Sequence, residues 1–190
     1  MKKTLSIVAV AVLSISILAG CAKSKTEAPK TETKPETKTE TKTDAVTTAS
    51  IVDTPEAFLK AVSKDGKWII ATTKDLTIDK EIVLDGEFKN GKKDKDGKDI
   101  IQRKIALYTQ DDKKNVTARF TLTAPKLTVN SPEARIQSGT FKGDVYVSAK
   151  NFQLVDAKVD GNIYFTNEDA KSTFKMDTTS SVTGKQELKK

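Results

Sequence analysis

Apolar residues fall along this 190-residue chain in four successive rhythms. Residues 5–18 are apolar almost without interruption, whereas residues 22–50 carry no large apolar side chain except Val46. Phe58, Leu59 and Val62 then stand at i, i+1 and i+4, which gathers them on one face of a helix. Asp53 or Thr54 supplies the cap, Pro55 suits the first turn and Gly66 closes the segment, so one short helix is predicted from about 54 to 63. Beyond it the helical period disappears. Segments 68–71, 76–78, 82–84, 105–108, 117–122 and 127–129 alternate or run apolar over strand lengths, and turn residues separate them. The class predicted is mainly β.

Near the end the alternation repeats itself. Thr140-Phe141-Lys142-Gly143-Asp144-Val145-Tyr146-Val147 aligns with Lys158-Val159-Asp160-Gly161-Asn162-Ile163-Tyr164-Phe165 at an offset of eighteen. Period-two alternation sends Phe141, Gly143, Val145 and Val147 to one side and Lys142, Asp144 and Tyr146 to the other. Phe152-Gln153-Leu154 and Phe174-Lys175-Met176 add an apolar-x-apolar pair twenty-two residues apart, also expected to face inward. Short strands at a period near twenty are what a solenoid needs, because each coil buries its face only against its neighbours. The helix is suited to cover the first open coil. With the helix followed by a first strand Trp68-Ile69-Ile70-Ala71 and a run from Leu76 to Gly86, the chain resembles the right-handed parallel β-helix proteins, and the glycine-spaced coils at 139–165 are similar to those of bactofilin-type polymers. The fold expected is therefore a parallel β-solenoid of about five or six coils with a short N-terminal capping helix. The alternative is an antiparallel β-sandwich. Pairing of 144–147 with 162–165 decides between them.

The apolar run at 5–18 follows Lys2 and Lys3 and precedes Ala19 and Gly20, the order of a cleaved export signal. As a helix it spans about 21 Å, short of the roughly 30 Å core of a bilayer. It ends in Leu18-Ala19-Gly20-Cys21, which resembles the lipobox of bacterial lipoproteins. That resemblance covers residues 1–21 and implies cleavage before Cys21, with diacylglycerol carried on its sulfur. Two acyl chains suffice for stable anchoring. The expected location is the outer side of a bacterial cell membrane, with the protein held by lipid. Residues 21–50, rich in Lys, Thr, Glu and Pro, cannot offset ordering entropy and are expected to form a disordered tether.

Composition then removes whole classes of chemistry. The chain has no His and one Cys, which excludes Ser-His-Asp and Cys-His catalysis, His-ligated metals and an intrachain disulfide. The net charge of +7 leaves +4 on residues 51–190, enough to favour an anionic wall polymer modestly and too little to argue for nucleic acid. Asp94-Lys95-Asp96-Gly97-Lys98-Asp99 alternates carboxylates around a glycine, yet an EF-hand register would place Lys92 and Arg103 at its first and last ligands. Residues 89–99 are instead expected to be a solvated loop, and no metal or other cofactor is expected. The β-helix resemblance raises polysaccharide lyase chemistry, which in that family pairs calcium-binding carboxylates with an Arg or Lys base. Arg103, Arg119 and Arg135 have no such carboxylate pair at strand spacing.

If eighteen residues make one coil, Tyr146 and Tyr164 stack about 4.8 Å apart on the outside. Lys142 then lies beside Asp160, and Asp144 beside Asn162. Flat rings with polar tips and polar neighbours suit sugar stacking, and equally suit a ladder that merely joins adjacent strands. The functional expectation is a lipid-anchored, non-catalytic binding or scaffolding module of the cell envelope, with Tyr146, Tyr164, Lys142 and Asp160 as candidate glycan-binding residues. The alternative expectation is an exported polysaccharide lyase or hydrolase on the same scaffold.

Overall fold

A computed structural model describes residues 49–189. Cys21 and nearly all of the expected tether lie outside them. The described part is mostly strand, arranged as a parallel β-solenoid. Three ladders run side by side. On the first face Ala49–Val52, Ile69–Thr72, Arg103–Ala106, residues 134–137, residues 153–155 and Lys175–Met176 pair in that order, six strands deep. The second face joins Leu76–Thr77, residues 121–123, 140–142 and 158–160, and Ser181–Val182. The third joins Ile82–Leu84, residues 127–129 and 145–147, Ile163–Phe165 and Gln186–Leu188. Every one of these pairings is parallel, including Val145 with Ile163 and Val147 with Phe165, which excludes the sandwich.

The interior is a stack of like residues. Phe141, Val145, Val147, Phe152, Leu154, Val159, Ile163 and Phe165 are all at most 2% exposed, as the alternation requires. The alternation changes phase once per coil. Ala134 and Ile136 face inward, then Ser138 takes φ 54° and the inward set becomes Phe141, Val145 and Val147. Asp156, at φ 51°, does the same one coil later. Gly143 is not an inward side chain on a face but a corner between the second and third faces. At φ 141° an added Cβ would lie 1.9 Å from the carbonyl oxygen of Ala124. Gly161 repeats this against the oxygen of Gly143 at 2.1 Å. Asp144 and Asn162 run beside this column, with Asp144 Oδ1 accepting from the Asn162 amide and from its Nδ2, each at 2.9 Å.

Helix Pro55–Val62 has Thr54 as its cap, accepting from the Ala57 amide at 3.2 Å, and it buries Phe58, Ala61 and Val62. Arg103 completes its other end. The guanidinium is fully buried, lies 3.8 Å from the ring centre of Phe88, and donates to the carbonyls of Ala61, Ser63 and Lys67 at 2.7–2.9 Å. Burial pushes it down to about 10, so it remains charged at neutral pH.

Five expectations need correction. The first is the number of coils, which is about seven and not five or six, because short two- and three-residue strands at either end add turns that the repeat did not reveal. Residues 89–99 are solvated as expected but are not a simple loop, because Lys89–Lys93 and Asp99–Ile101 pair antiparallel as a hairpin. A second hairpin pairs Tyr108–Gln110 with Val116–Arg119 where one strand had been expected at 117–122. Of the pair Phe174 and Met176, Phe174 packs on Phe152 with ring centres 5.8 Å apart, but Met176 is 43% exposed. It lies in the last described coil, where no further strand covers the interior. The first strand also begins at Ala49, two residues inside the expected tether.

Candidate functional site

Two outward surfaces carry the chemistry, one on each side of the Gly143–Gly161 corner. The expected repeat register is present, with Lys142 opposite Asp160 and Tyr146 opposite Tyr164. These four residues do not form one site, however. Lys142 and Asp160 belong to the second face and the tyrosines to the third. Asp160 does not bond Lys142 but accepts from Thr183 Oγ1 at 3.1 Å.

On the third face Tyr146 and Tyr164 are half-buried and project outward from strands whose neighbours Val145, Val147, Ile163 and Phe165 fill the interior. Their ring centres are 4.9 Å apart, the spacing of adjacent strands, with the planes tilted by 44°. Two cations border them. Lys126 Nζ sits 4.7 Å from the Tyr146 ring centre, and Lys189 Nζ sits 4.4 Å from that of Tyr164 while donating to Tyr146 Oη at 3.2 Å. That hydrogen bond raises the pKa of Lys189. Glu81 holds Lys126 at 3.0 Å and accepts from Thr128 Oγ1 at 2.6 Å, and these bonds, Thr128 first, lower its pKa. The result is an aromatic pair in a rim of ammonium groups, able to stack a ring and to attract negative charge.

The sequence did not point to Lys126 or Lys189. Lys126 had a signal: residues 127–129 stand eighteen before 145–147 and pair with them, a third copy hidden by the irregularity between Thr123 and Lys126. Lys189 had none. Its coil is lengthened by helix Glu168–Thr173, which breaks the eighteen-residue offset.

The second surface is a cleft of about 250 Å³ bordered by Arg119, Thr121, Thr140, Asp156, Lys158 and Thr179. Arg119 Nη2 contacts Asp156 Oδ2 at 2.6 Å, across thirty-seven residues of sequence. The carboxylate partner absent from strand spacing is thus supplied by a distant coil. Asp94, the first of the alternating carboxylates, turns its Oδ1 to the amides of Asp96 and Lys98 at 2.9 Å, so it serves the hairpin turn. Among the described residues no cluster of three metal-ligating side chains is present, and no helix is long and apolar enough to cross a membrane. The chain matches no known family model, no curated protein and no solved structure.

Proposed function

We propose that this is an extracytoplasmic lipoprotein, anchored to a bacterial membrane through Cys21, whose solenoid is a non-catalytic binding or scaffolding module for envelope glycans. The observation that carries this reading is the outward Tyr146–Tyr164 pair, 4.9 Å apart and flanked by Lys126 and Lys189. A ridged face built from stacked coils suits an extended polymer better than a small metabolite. The two lysines bias that polymer toward neutral or anionic chains, in a salt-dependent way.

Lys189 is exposed and lies over both rings, so a bound sugar displaces its ammonium toward the sugar's own oxygens. Replacing Tyr146 and Tyr164 together by Ala is expected to weaken glycan binding about tenfold or more, since each ring contributes on the order of 1 kcal/mol of contact beyond its area. The fold is expected to survive because the rings point outward. Unchanged affinity in a folded double variant would leave the pair as a strand-joining ladder and remove the site.

The second reading, a lyase or hydrolase, draws on the Arg119–Asp156 pair, which sets a carboxylate beside a cation in a cleft. The two engage each other at 2.6 Å, so a substrate would have to part them before either could act on it. Shortened polymer products on incubation with the protein would establish this reading over the first.

A further inference from the structure

We propose that the cleft at the foot of the 108–119 hairpin is a second binding site, shaped for the carboxylate and hydroxyls of an acidic sugar unit. The site is created by an insertion. Where one residue, Ser138, turns the corner in the next coil, the 108–119 hairpin leaves the solenoid here, and its foot is closed by the Phe120 amide donating to the Leu107 carbonyl at 2.8 Å. Insertions at one corner of a repeat structure are where binding surfaces are commonly built.

Its parts are held in place from two coils. Asp156 adopts φ 51°, its Oδ2 accepts from Arg119 at 2.6 Å and from Ser138 Oγ at 3.0 Å, and its amide donates to Asp177 Oδ2 at 2.9 Å. Among the described residues this leaves Asp156 Oδ1 as an unused acceptor and most of the Arg119 donors free for a ligand. Thr121, Thr140 and Lys158 follow one another in register along the second face, one strand spacing apart. Lys158 is exposed, and among the described residues its Nζ has no hydrogen bond or ion pair.

The mixture of groups selects the ligand. Lys158 and Arg119 offer cationic donors to an oxyanion, the threonine hydroxyls can donate or accept, and Asp156 Oδ1 needs a donor such as a hydroxyl. A bare phosphate would satisfy the cations and set its own charge against Asp156. A sugar acid satisfies both halves, with its carboxylate at Lys158 and Arg119 and its ring hydroxyls at Thr121, Thr140 and Asp156. The inference takes its ligand class from the glycan reading above but shares no residue with the tyrosine pair.

The test is calorimetric titration of the full chain with an oligogalacturonide and with its methyl ester. The acid form is expected to bind at least about tenfold more tightly than the ester at low salt, the size of one hydrogen-bonded charge contact. K158Q combined with T140V, both outward positions, is expected to erase that preference with the thermal transition unchanged, and K158R alone to retain it. Equal binding of acid and ester, or parental affinity for the acid in folded K158Q/T140V, would overturn the site. If the Tyr146→Ala, Tyr164→Ala variant loses the oligogalacturonide while K158Q/T140V keeps it, the cleft fails and the binding-module reading stands. If the chain binds neither this ligand nor any other envelope glycan, both fail.

Discussion

Corner residues decide how this chain coils. Glu133 with Asn151, Ser138 with Asp156, and Gly143 with Gly161 are each eighteen apart, and all six have positive φ. The first four tolerate the left-handed region at a cost, and hydrogen bonds between adjacent coils offset it, as when Asn151 Nδ2 donates to Glu133 Oε1. At Gly143 no side chain is admissible, because the backbone of the preceding coil occupies the place of a Cβ. Gly143→Ala is therefore expected to destabilise the domain by about 2 to 4 kcal/mol, seen as a lower urea midpoint with an unchanged slope. A midpoint equal to that of the parent would show that the corner relaxes freely. The inward residues were legible in the sequence because three apolar positions keep the same phase in both copies. The phase shift at Ser138 and Asp156 was not, since Ser and Asp are equally at home on any polar surface.

At the scale of elements, the capping helix and the strand at Ile82–Leu84 were legible from local chemistry alone, but both hairpins were misread. Each hairpin lengthens one coil, which is why the offset between stacked strands is thirty-one from Ile105 to Ile136 and eighteen from Ile136 to Leu154. A fixed period cannot be found where insertions interrupt it. The 89–101 hairpin is polar and carries exposed ion pairs beside its backbone pairing, with Asp99 bonded to Lys89 at 2.6 Å and to Lys93 at 2.7 Å. Those bonds hold the Asp99 carboxyl down at about 2, below its usual 3.8. A carboxyl lowered in the folded state stabilises above its unfolded value and loses that contribution as pH falls through the folded one. The protection of the hairpin amides, taken relative to their intrinsic exchange rates, is therefore expected to fall between about pH 4 and 2, and Asp99→Asn is expected to lower it already at neutral pH. Unchanged protection in the Asn variant would assign the hairpin's order to its backbone pairing alone.

For the whole molecule, one solenoid presents two unlike outer surfaces, an aromatic and cationic one on the third face and a hydroxyl-rich cleft beside the second. The candidate site was legible in part: the tyrosine register followed from the repeat, whereas the cleft unites Arg119 and Asp156 from coils whose separation no local pattern reveals. The proposed anchor makes its own prediction. Cys21→Ala is expected to leave the signal uncleaved or to release the protein from the membrane fraction, and processing and retention like those of the parent would rule out lipidation. The central claim is that the solenoid holds envelope glycans without cutting them. It is tested most directly by incubating the protein with purified wall polymers and envelope glycans, then measuring co-sedimentation and polymer chain length in the same samples. The account predicts retention of the protein on at least one polymer with chain length unchanged; shortened chains, or no retention on any polymer, would contradict it.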